Sequence, residues 1–200
     1  MLSKHSSKII SMKNNKIFIL VLIWTLVFKL GAHAQTVIGD VVLPNTYMAG
    51  KEKLVINGAG IREKYFMDLY VAGLYLVAKS NDAKQIVSAN SSMAIRMVMI
   101  SSLITSSRMI ESVLAGFNKS TNGHPEKYKI QIEQFKKAFA DEIKKNDVFD
   151  VVYSMESISI YKNNVLRTEI KGTDFKGAVF GIWLGENPVD TDLKANLLGN

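Results

Sequence analysis

An arginine and a tyrosine on neighbouring apolar runs have the clearest capacity in this sequence to bind an anion. Arg62 closes one run, and Tyr70 lies midway along the next. If the turn is centred near Phe66, antiparallel pairing sets Arg62 opposite Tyr70, with the small residues Gly60 and Ala72 beside them. Because an arginine stays charged and binds a carboxylate or phenolate bidentately, the pair predicts a site for a small acid or phenol. The alternative is a solvated hairpin-end arginine beside an ordinary core tyrosine.

The sequence offers few residues for a metal site, a cofactor site or a catalytic nucleophile. The chain has no cysteine and three histidines, and of these only His124 lies beyond residue 34. It carries no P-loop, dinucleotide fingerprint, nucleophile elbow or HExxH motif. The run from Gly58 to Gly60 leads into a strand and not a helix, so it predicts a bulge or a close backbone approach instead of a phosphate loop. We therefore expect no metal and no cofactor.

The first 34 residues have the order of a secretory signal peptide. Lysines and serines precede an apolar run over 17–28, and Ala32-His33-Ala34 follows as a small-x-small cleavage site. The run falls short of the roughly 20 residues that span a bilayer. We expect cleavage near Ala34-Gln35 and a periplasmic or secreted mature protein. An uncleaved anchor is the alternative.

The basic net charge does not indicate a nucleic-acid partner. The formal charge is +7, but residues 1–34 hold five lysines and no acidic residue. Of the 25 basic residues, 20 remain in the mature chain against 18 acidic ones. No basic stripe with interleaved aromatic residues is present. We expect no nucleic acid as a partner, and membrane contact only through the signal peptide during export.

Hydrophobic periodicity predicts an α+β domain over residues 35–200 with a largely antiparallel sheet. After an extended segment at 36–47, strands are expected at 53–61, 66–78, 93–101, 148–155, 157–161 and 165–170. The strand at 66–78 is apolar on both faces, which predicts a central position. Helices are expected to begin near residue 82, to run from Thr105 to Asn122-Gly123, and to cover 125–146, 173–185 and 190–198. Asn163-Asn164 predicts a tight hairpin turn.

Two motifs, in this order, resemble the chalcone isomerase-like family. The first is Asn57-Gly-Ala-Gly-Ile-Arg62 with Tyr70-Val-Ala-Gly-Leu-Tyr-Leu76, and the second extends from Phe180-Gly-Ile-Trp to Asp190 and on to Gly199. The resemblance covers roughly residues 43–199. It implies an open-faced β-sandwich, with a large antiparallel sheet, a layer of helices on one side and a ligand cleft between them.

The resemblance also suggests roles for single residues. Arg62 matches the arginine that stabilises negative charge in the isomerases and holds the carboxylate in the family's fatty-acid binders. Tyr70 matches a tyrosine of the fatty-acid binders and a threonine of the isomerases. The isomerases also use tyrosine, lysine and asparagine on the next helix, where this chain reads Ser106-Ser107-Arg108-Met109-Ile110-Glu111-Ser112-Val113. None of the three is convincingly present, and Arg108 is expected in solvent.

Three functions follow as hypotheses. The first is a non-catalytic carrier of a fatty acid or similar amphiphilic acid, bound by Arg62 and Tyr70. The second is an intramolecular lyase that closes a phenolic enone, with the same two residues catalytic. The third is a structural or interaction module without a ligand. For the carrier, the expected pocket material is Met67, Leu74, Met97, Val113, Phe117 and Trp183, in which flexible methionines suit variable tails.

Overall fold

Seven antiparallel strands form the large sheet of the computed structural model, which describes residues 35–200. The predicted signal peptide lies outside the described residues. The strands are β1 (Gln35–Ile38), β2 (Val41–Pro44), β3 (Thr46–Ala49), β4 (Glu52–Lys64), β5 (Met67–Leu76), β6 (Met93–Met99), β7 (Val148–Ser154), β8 (Ser157–Lys162) and β9 (Val165–Lys171). The helices are α1 (Ala83–Ser88), α2 (Ser106–Ser120), α3 (Lys129–Lys137), α4 (Asp174–Leu184) and α5 (Thr191–Leu197), with a 3₁₀ turn at Pro125–Tyr128.

The large sheet has the order β3-β4-β5-β6-β7-β8-β9, so each strand pairs with its neighbours in sequence. The sheet curls until β3 also comes close to β6 and β7. β1 and β2 form a separate hairpin. Helices α2 and α3 lie between β6 and β7 in the chain, while α4 and α5 follow β9. This arrangement confirms the predicted α+β fold with an open-faced antiparallel sheet.

β5 is buried on both faces, as its sequence predicted. Tyr70, Ala72 and Leu74 belong to the main core with the helices. Val71 and Tyr75 belong to a smaller core on the opposite face, which also contains residues of β2 and β4. Because alternate side chains of a strand point to opposite faces, a central strand needs apolar residues at both parities.

Local sequence explains where the helices begin and how they pack. The Thr105 side chain accepts a hydrogen bond from the Arg108 amide and caps α2, as predicted. Asp82 caps α1 in the same way. Ring stacking then joins the helical layer, since Phe117 of α2 lies 5.4 Å from Phe175 of α4 between ring centroids.

Several predicted elements were too long. The strand expected at 93–101 ends at Met99, and the one expected at 66–78 ends at Leu76. The helix expected over 125–146 consists of a 3₁₀ turn and α3, which ends at Lys137. Beyond Lys137, the amides of Phe139 and Ala140 donate to the carbonyls three residues back. The Ser106 hydroxyl donates to the carbonyls of Phe139 and Ala140, at 2.6 and 3.1 Å, which would be acceptors in a continued helix. The strand expected from Phe66 begins at Met67, because Phe66 lies in the β4–β5 turn.

Candidate functional site

The β4–β5 hairpin sets Arg62 directly opposite Tyr70. The Cα partners include Gly60 with Ala72 and Arg62 with Tyr70, which confirms the register predicted from the sequence. An irregularity follows at Glu63 and shifts the pairing of the last residues before the turn. Since opposite residues of an antiparallel pair have Cβ atoms about 5 Å apart, the guanidinium and the phenol belong to one site.

Arg62 is paired with a carboxylate of the protein itself. Its Nη1 donates to Oδ2 of Asp190 at 3.0 Å and also contacts the Glu63 carbonyl. The side chains of Arg62 and Asp190 are 15% and 12% exposed. In residues 35–200, Nε and Nη2 of Arg62 donate to no acceptor, and no buried side-chain nitrogen there lacks a partner. This edge of the guanidinium is therefore open to solvent, and it has the fork geometry that binds a carboxylate through two hydrogen bonds.

Asp190 holds its position through both carboxylate oxygens. Oδ1 accepts from the amides of Asp192 and Leu193, each at 3.0 Å, and so caps α5. Oδ2 accepts from Arg62 and from the Glu63 amide at 3.3 Å. Burial acts to raise the pKa of Asp190, but hydrogen bonds from the Leu193 amide and Arg62 outweigh it, so the pKa lies below its ordinary value. Sequence reasoning missed this ion pair, although it expected the last helix to begin at Asp190.

Tyr70 is buried, and its hydroxyl is only partly satisfied. The indole Nε1 of Trp183, on α4, donates to the Tyr70 oxygen at 3.1 Å. No residue of the described range accepts the hydroxyl proton. Burial raises the pKa of Tyr70, although the hydrogen bond from Trp183 and the nearby Arg62 act to lower it. Tyr70 is therefore protonated near neutral pH, which makes it a hydrogen-bond donor and not a base.

Glycines of β4 allow α5 to approach and bring Asp190 to the site. A Cβ atom at Gly58 would lie 2.1 Å from the Asn196 carbonyl oxygen, and one at Gly60 would lie 2.8 Å from the Asn196 Cβ. The buried Asn57 amide donates to the Leu197 carbonyl at 2.8 Å and fastens the end of the helix. The close backbone approach predicted for these glycines is confirmed, as is a bulge between Ile56 and Gly58.

Most residues expected to line a pocket lie in the main core. Leu74, Met97, Val113 and Phe117 are all buried there, together with Trp183. Met67 does not join them, because it is the first residue of β5 beside the turn and is 39% exposed. The structure thus groups five of the expected residues in the helix-facing core and places Met67 at the solvent-exposed end of the hairpin.

Helix α2 adds no charged group to the site. Arg108 is exposed, as expected, and its Nη1 donates to the Leu103 carbonyl at 3.0 Å. The buried residues of α2 are Met109, Val113, Gly116 and Phe117. The polar partners of Arg62 and Tyr70 come instead from α4 and from the start of α5.

The opposite face of the sheet holds a second arginine–carboxylate pair. Arg96 donates from Nε and Nη2 to the two oxygens of Asp150, at 2.7 and 2.9 Å. Asp150 is almost fully buried, and the Tyr47 ring lies over the Arg96 guanidinium at 5.3 Å. A cavity of about 230 Å³ beside this pair is lined by Tyr47, Asp150 and Tyr161, among others. Sequence reasoning did not identify this cluster.

Residues 35–200 contain no group of three histidine, aspartate or glutamate side chains arranged to hold a metal ion. Within the same range, no helix is both long and apolar enough to cross a bilayer.

Comparisons with known proteins agree on the architecture. Residues 35–199 match the family model described as chalcone isomerase-like. A crystal structure of an Arabidopsis thaliana fatty-acid binding protein is similar, with a TM-score of 0.67, over 82% of this chain and 96% of that chain, at 16% sequence identity. No curated protein matches the sequence. At this identity the structural likeness concerns the fold alone.

Proposed function

The chain belongs to the chalcone isomerase-like family, and we propose that it binds a small, mostly apolar acid, such as a fatty acid, without catalysing a reaction. The observation that carries the proposal is the open Nε–Nη2 edge of Arg62 beside the undonated hydroxyl proton of Tyr70. Because Arg62 and Tyr70 lie opposite each other on β4 and β5, we propose that these three donors bind one carboxylate. The similar Arabidopsis thaliana structure, described as a fatty-acid binding protein, supports the same class of ligand.

The ligand carboxylate would bind while Asp190 keeps its place. Asp190 occupies Nη1 of Arg62, whereas the opposite edge of the guanidinium is the one open to solvent. The acid would therefore share the arginine with Asp190 and need not displace it. Two carboxylates around one guanidinium repel each other, so Asp190 would lower the affinity without preventing binding.

The apolar tail would enter the core between the sheet and the helices. Leu74, Met97, Val113 and Phe117 lie there and fill the space with their own side chains. A tail would thus have to move some of them, and Met97 is the most adaptable because an unbranched thioether chain changes rotamer easily. We expect Trp183 to respond to this movement, since it contacts Tyr70 and belongs to the same core.

Native mass spectrometry followed by organic extraction tests the proposal. The protein from Gln35 to Asn200 is compared with the double variant Arg62→Met/Asp190→Asn, which removes both charges and so leaves no unpaired charge. We expect an acid of fatty-acid type in stoichiometric amount on the first protein and none on the second. A folded double variant that retains the acid would contradict the assignment of the site.

A ligand-free interaction module is the second candidate, and the packing of the core favours it. Leu74 and Phe117 are fully buried, and Phe117 stacks on Phe175. If the protein is folded and empty, and does not bind added dodecanoate, this candidate replaces the first.

We further propose that residues 1–34 direct export and are removed at Ala34-Gln35. Their lysines, apolar run and Ala32-His33-Ala34 sequence support this. Amino-terminal sequencing of the protein from cell fractions should begin at Gln35. A membrane-bound protein that keeps its first 34 residues would indicate an anchor instead.

A further inference from the structure

The turn between β4 and β5 presents two aromatic side chains to solvent. Tyr65 is 78% exposed and Phe66 is 98% exposed, the latter being nearly all the surface that a phenylalanine has. Met67 follows at 39%. The loop after β6 reaches the same end of the sheet, because the amide of Ile100 donates to the Leu69 carbonyl, and Leu103 in that loop is 45% exposed.

Both aromatic residues have a backbone conformation that bulky side chains avoid. Their φ angles are 53° and 60°, the left-handed region in which asparagine and glycine are favoured at two-residue hairpin turns. Another hairpin of the same sheet uses Asn163-Asn164 at nearly the same φ angles, 52° and 65°. The Met155-Glu156 hairpin has φ angles in the same region, 49° and 58°, so this conformation alone does not indicate a function. The Tyr65-Phe66 turn differs because two aromatic side chains protrude from it, and they contribute nothing to the core.

We propose that the Tyr65-Phe66 tip inserts into the interface of a lipid bilayer and docks the protein on a membrane surface. A tyrosine or phenylalanine buries about 150–250 Å². Two of them fall well short of the roughly 800 Å² per partner that a specific protein interface buries. Shallow insertion into lipid needs only a few protruding aromatic side chains, which suit the boundary between headgroups and acyl chains.

The charges around the tip indicate insertion driven by apolar burial. Residues 62–68 contain two basic and two acidic residues, Arg62 and Lys64 against Glu63 and Asp68. The segment is therefore neutral overall, and anionic lipid should add little to the affinity. This inference departs from the expectation that only the signal peptide contacts a membrane. It goes beyond the proposed function and does not depend on it. Where both hold, docking would bring Arg62 next to the lipid phase from which an apolar acid is taken up.

Flotation with vesicles of phosphatidylethanolamine and phosphatidylglycerol tests the proposal. The protein from Gln35 to Asn200, without added fatty acid, is compared with Tyr65→Asn/Phe66→Gly, which introduces a favoured turn sequence. The matched control is Met155→Asn/Glu156→Gly, because Met155 is 84% exposed in a hairpin turn with φ angles of 49° and 58°. Phe66→Ser alone serves if the first variant does not fold.

We expect the Tyr65→Asn/Phe66→Gly variant to lose about tenfold or more in vesicle partitioning, since burial of a phenylalanine has about that effect on a partition constant. The Met155→Asn/Glu156→Gly control should float with the vesicles to the same extent as the wild type. Raised salt should not change the vesicle binding of either of these two proteins. A wild type that stays with the soluble fraction, or a turn variant that floats equally well, would overturn the proposal. The Arg62 proposal is measured with acid and without vesicles, so the two can fail separately.

Discussion

Replacement of Asp190 by asparagine should strengthen the binding of a carboxylate ligand. Asp190 Oδ2 lies 3.0 Å from Nη1 of Arg62, so its negative charge acts directly on the guanidinium that the ligand would use. Asparagine is also a good helix N-cap, so Asp190→Asn should keep α5 in place through the amides of Asp192 and Leu193. The substitution therefore removes the charge and keeps the cap of α5. The asparagine Nδ2, a donor, takes the place of Oδ2, so the hydrogen bonds from Arg62 and the Glu63 amide are lost.

The expected gain follows from the repulsion between two carboxylates on one arginine. Carboxylates on opposite sides of a guanidinium are about 6 Å apart, and an effective dielectric constant between about 20 and 80 gives roughly 1–3 kcal/mol. Solvent screens the partly exposed site, so the lower half of this range applies. For roughly 1–2 kcal/mol, the dissociation constant for dodecanoate should fall about fivefold to thirtyfold.

The tryptophan of the site makes the assay direct. The chain has two tryptophans, Trp24 and Trp183, and the protein from Gln35 keeps only Trp183, whose indole contacts Tyr70. Titration with dodecanoate below its micelle concentration, followed by tryptophan emission, gives the affinity of the wild type and of Asp190→Asn. The control is Asp192→Asn, which removes an exposed charge two residues away without any contact to Arg62.

The order of affinities decides the outcome. Asp190→Asn should bind more tightly than the wild type, Asp192→Asn should bind equally, and Arg62→Met/Asp190→Asn should not bind. If Asp190→Asn binds no better than the wild type, the ligand does not use the free edge of Arg62. Equal binding by the double variant would place the carboxylate elsewhere in the protein.

Two further predictions concern stability. Gly58→Ala should lower the free energy of unfolding by about 1–3 kcal/mol, because its Cβ would lie 2.1 Å from the Asn196 carbonyl oxygen. Gly177→Ala should raise the free energy of unfolding by about 0.5–1 kcal/mol, because no atom lies within 4 Å of the new Cβ and alanine favours the helix. Urea denaturation measures both, and equal effects would contradict the close approach of α5. Burial lowers the pKa of Lys176 to about 8. Because the unfolded lysine titrates near 10.4, the free energy of unfolding should rise between about pH 8 and 10, and Lys176→Met should abolish this rise.

The sequence was sufficient for the site's central pair because both residues lie on one hairpin. The prediction assumed a turn centred at Phe66, whereas the turn lies at Tyr65-Phe66 and pairs Glu63 with Asp68. The irregularity between Arg62 and Glu63 then shifts the pairing by one residue and sets Arg62 opposite Tyr70, as predicted. The sequence also predicted Phe66 as the first residue of the following strand, because a Tyr-Phe pair is not a typical turn sequence. The turn has this conformation in spite of its residues, which is why pattern reasoning failed there.

The partners of the pair could not be predicted, because they depend on where distant helices return to the sheet. Asp190 is 128 positions from Arg62, and Trp183 is 113 positions from Tyr70. A helix start at residue 190 was evident from the sequence, but no periodicity shows which strand that helix end contacts. The helix expected over 125–146 was too long for a related reason, since the segment after Lys137 hydrogen-bonds to Ser106, 33 positions away.

The two arginines of the sheet provide an internal comparison for the function of Arg62. Arg96 donates from both Nε and Nη2 to Asp150, as expected of a guanidinium that is only structural. Arg62 engages its carboxylate through Nη1 and, within residues 35–200, leaves those same two nitrogens without an acceptor. Water can accept from these nitrogens in the free protein, and under our proposal a ligand carboxylate replaces that water. This contrast is why we propose Arg62 and not Arg96 as the anion site, and the Asp190→Asn titration measures how much of that arginine the protein leaves for a ligand.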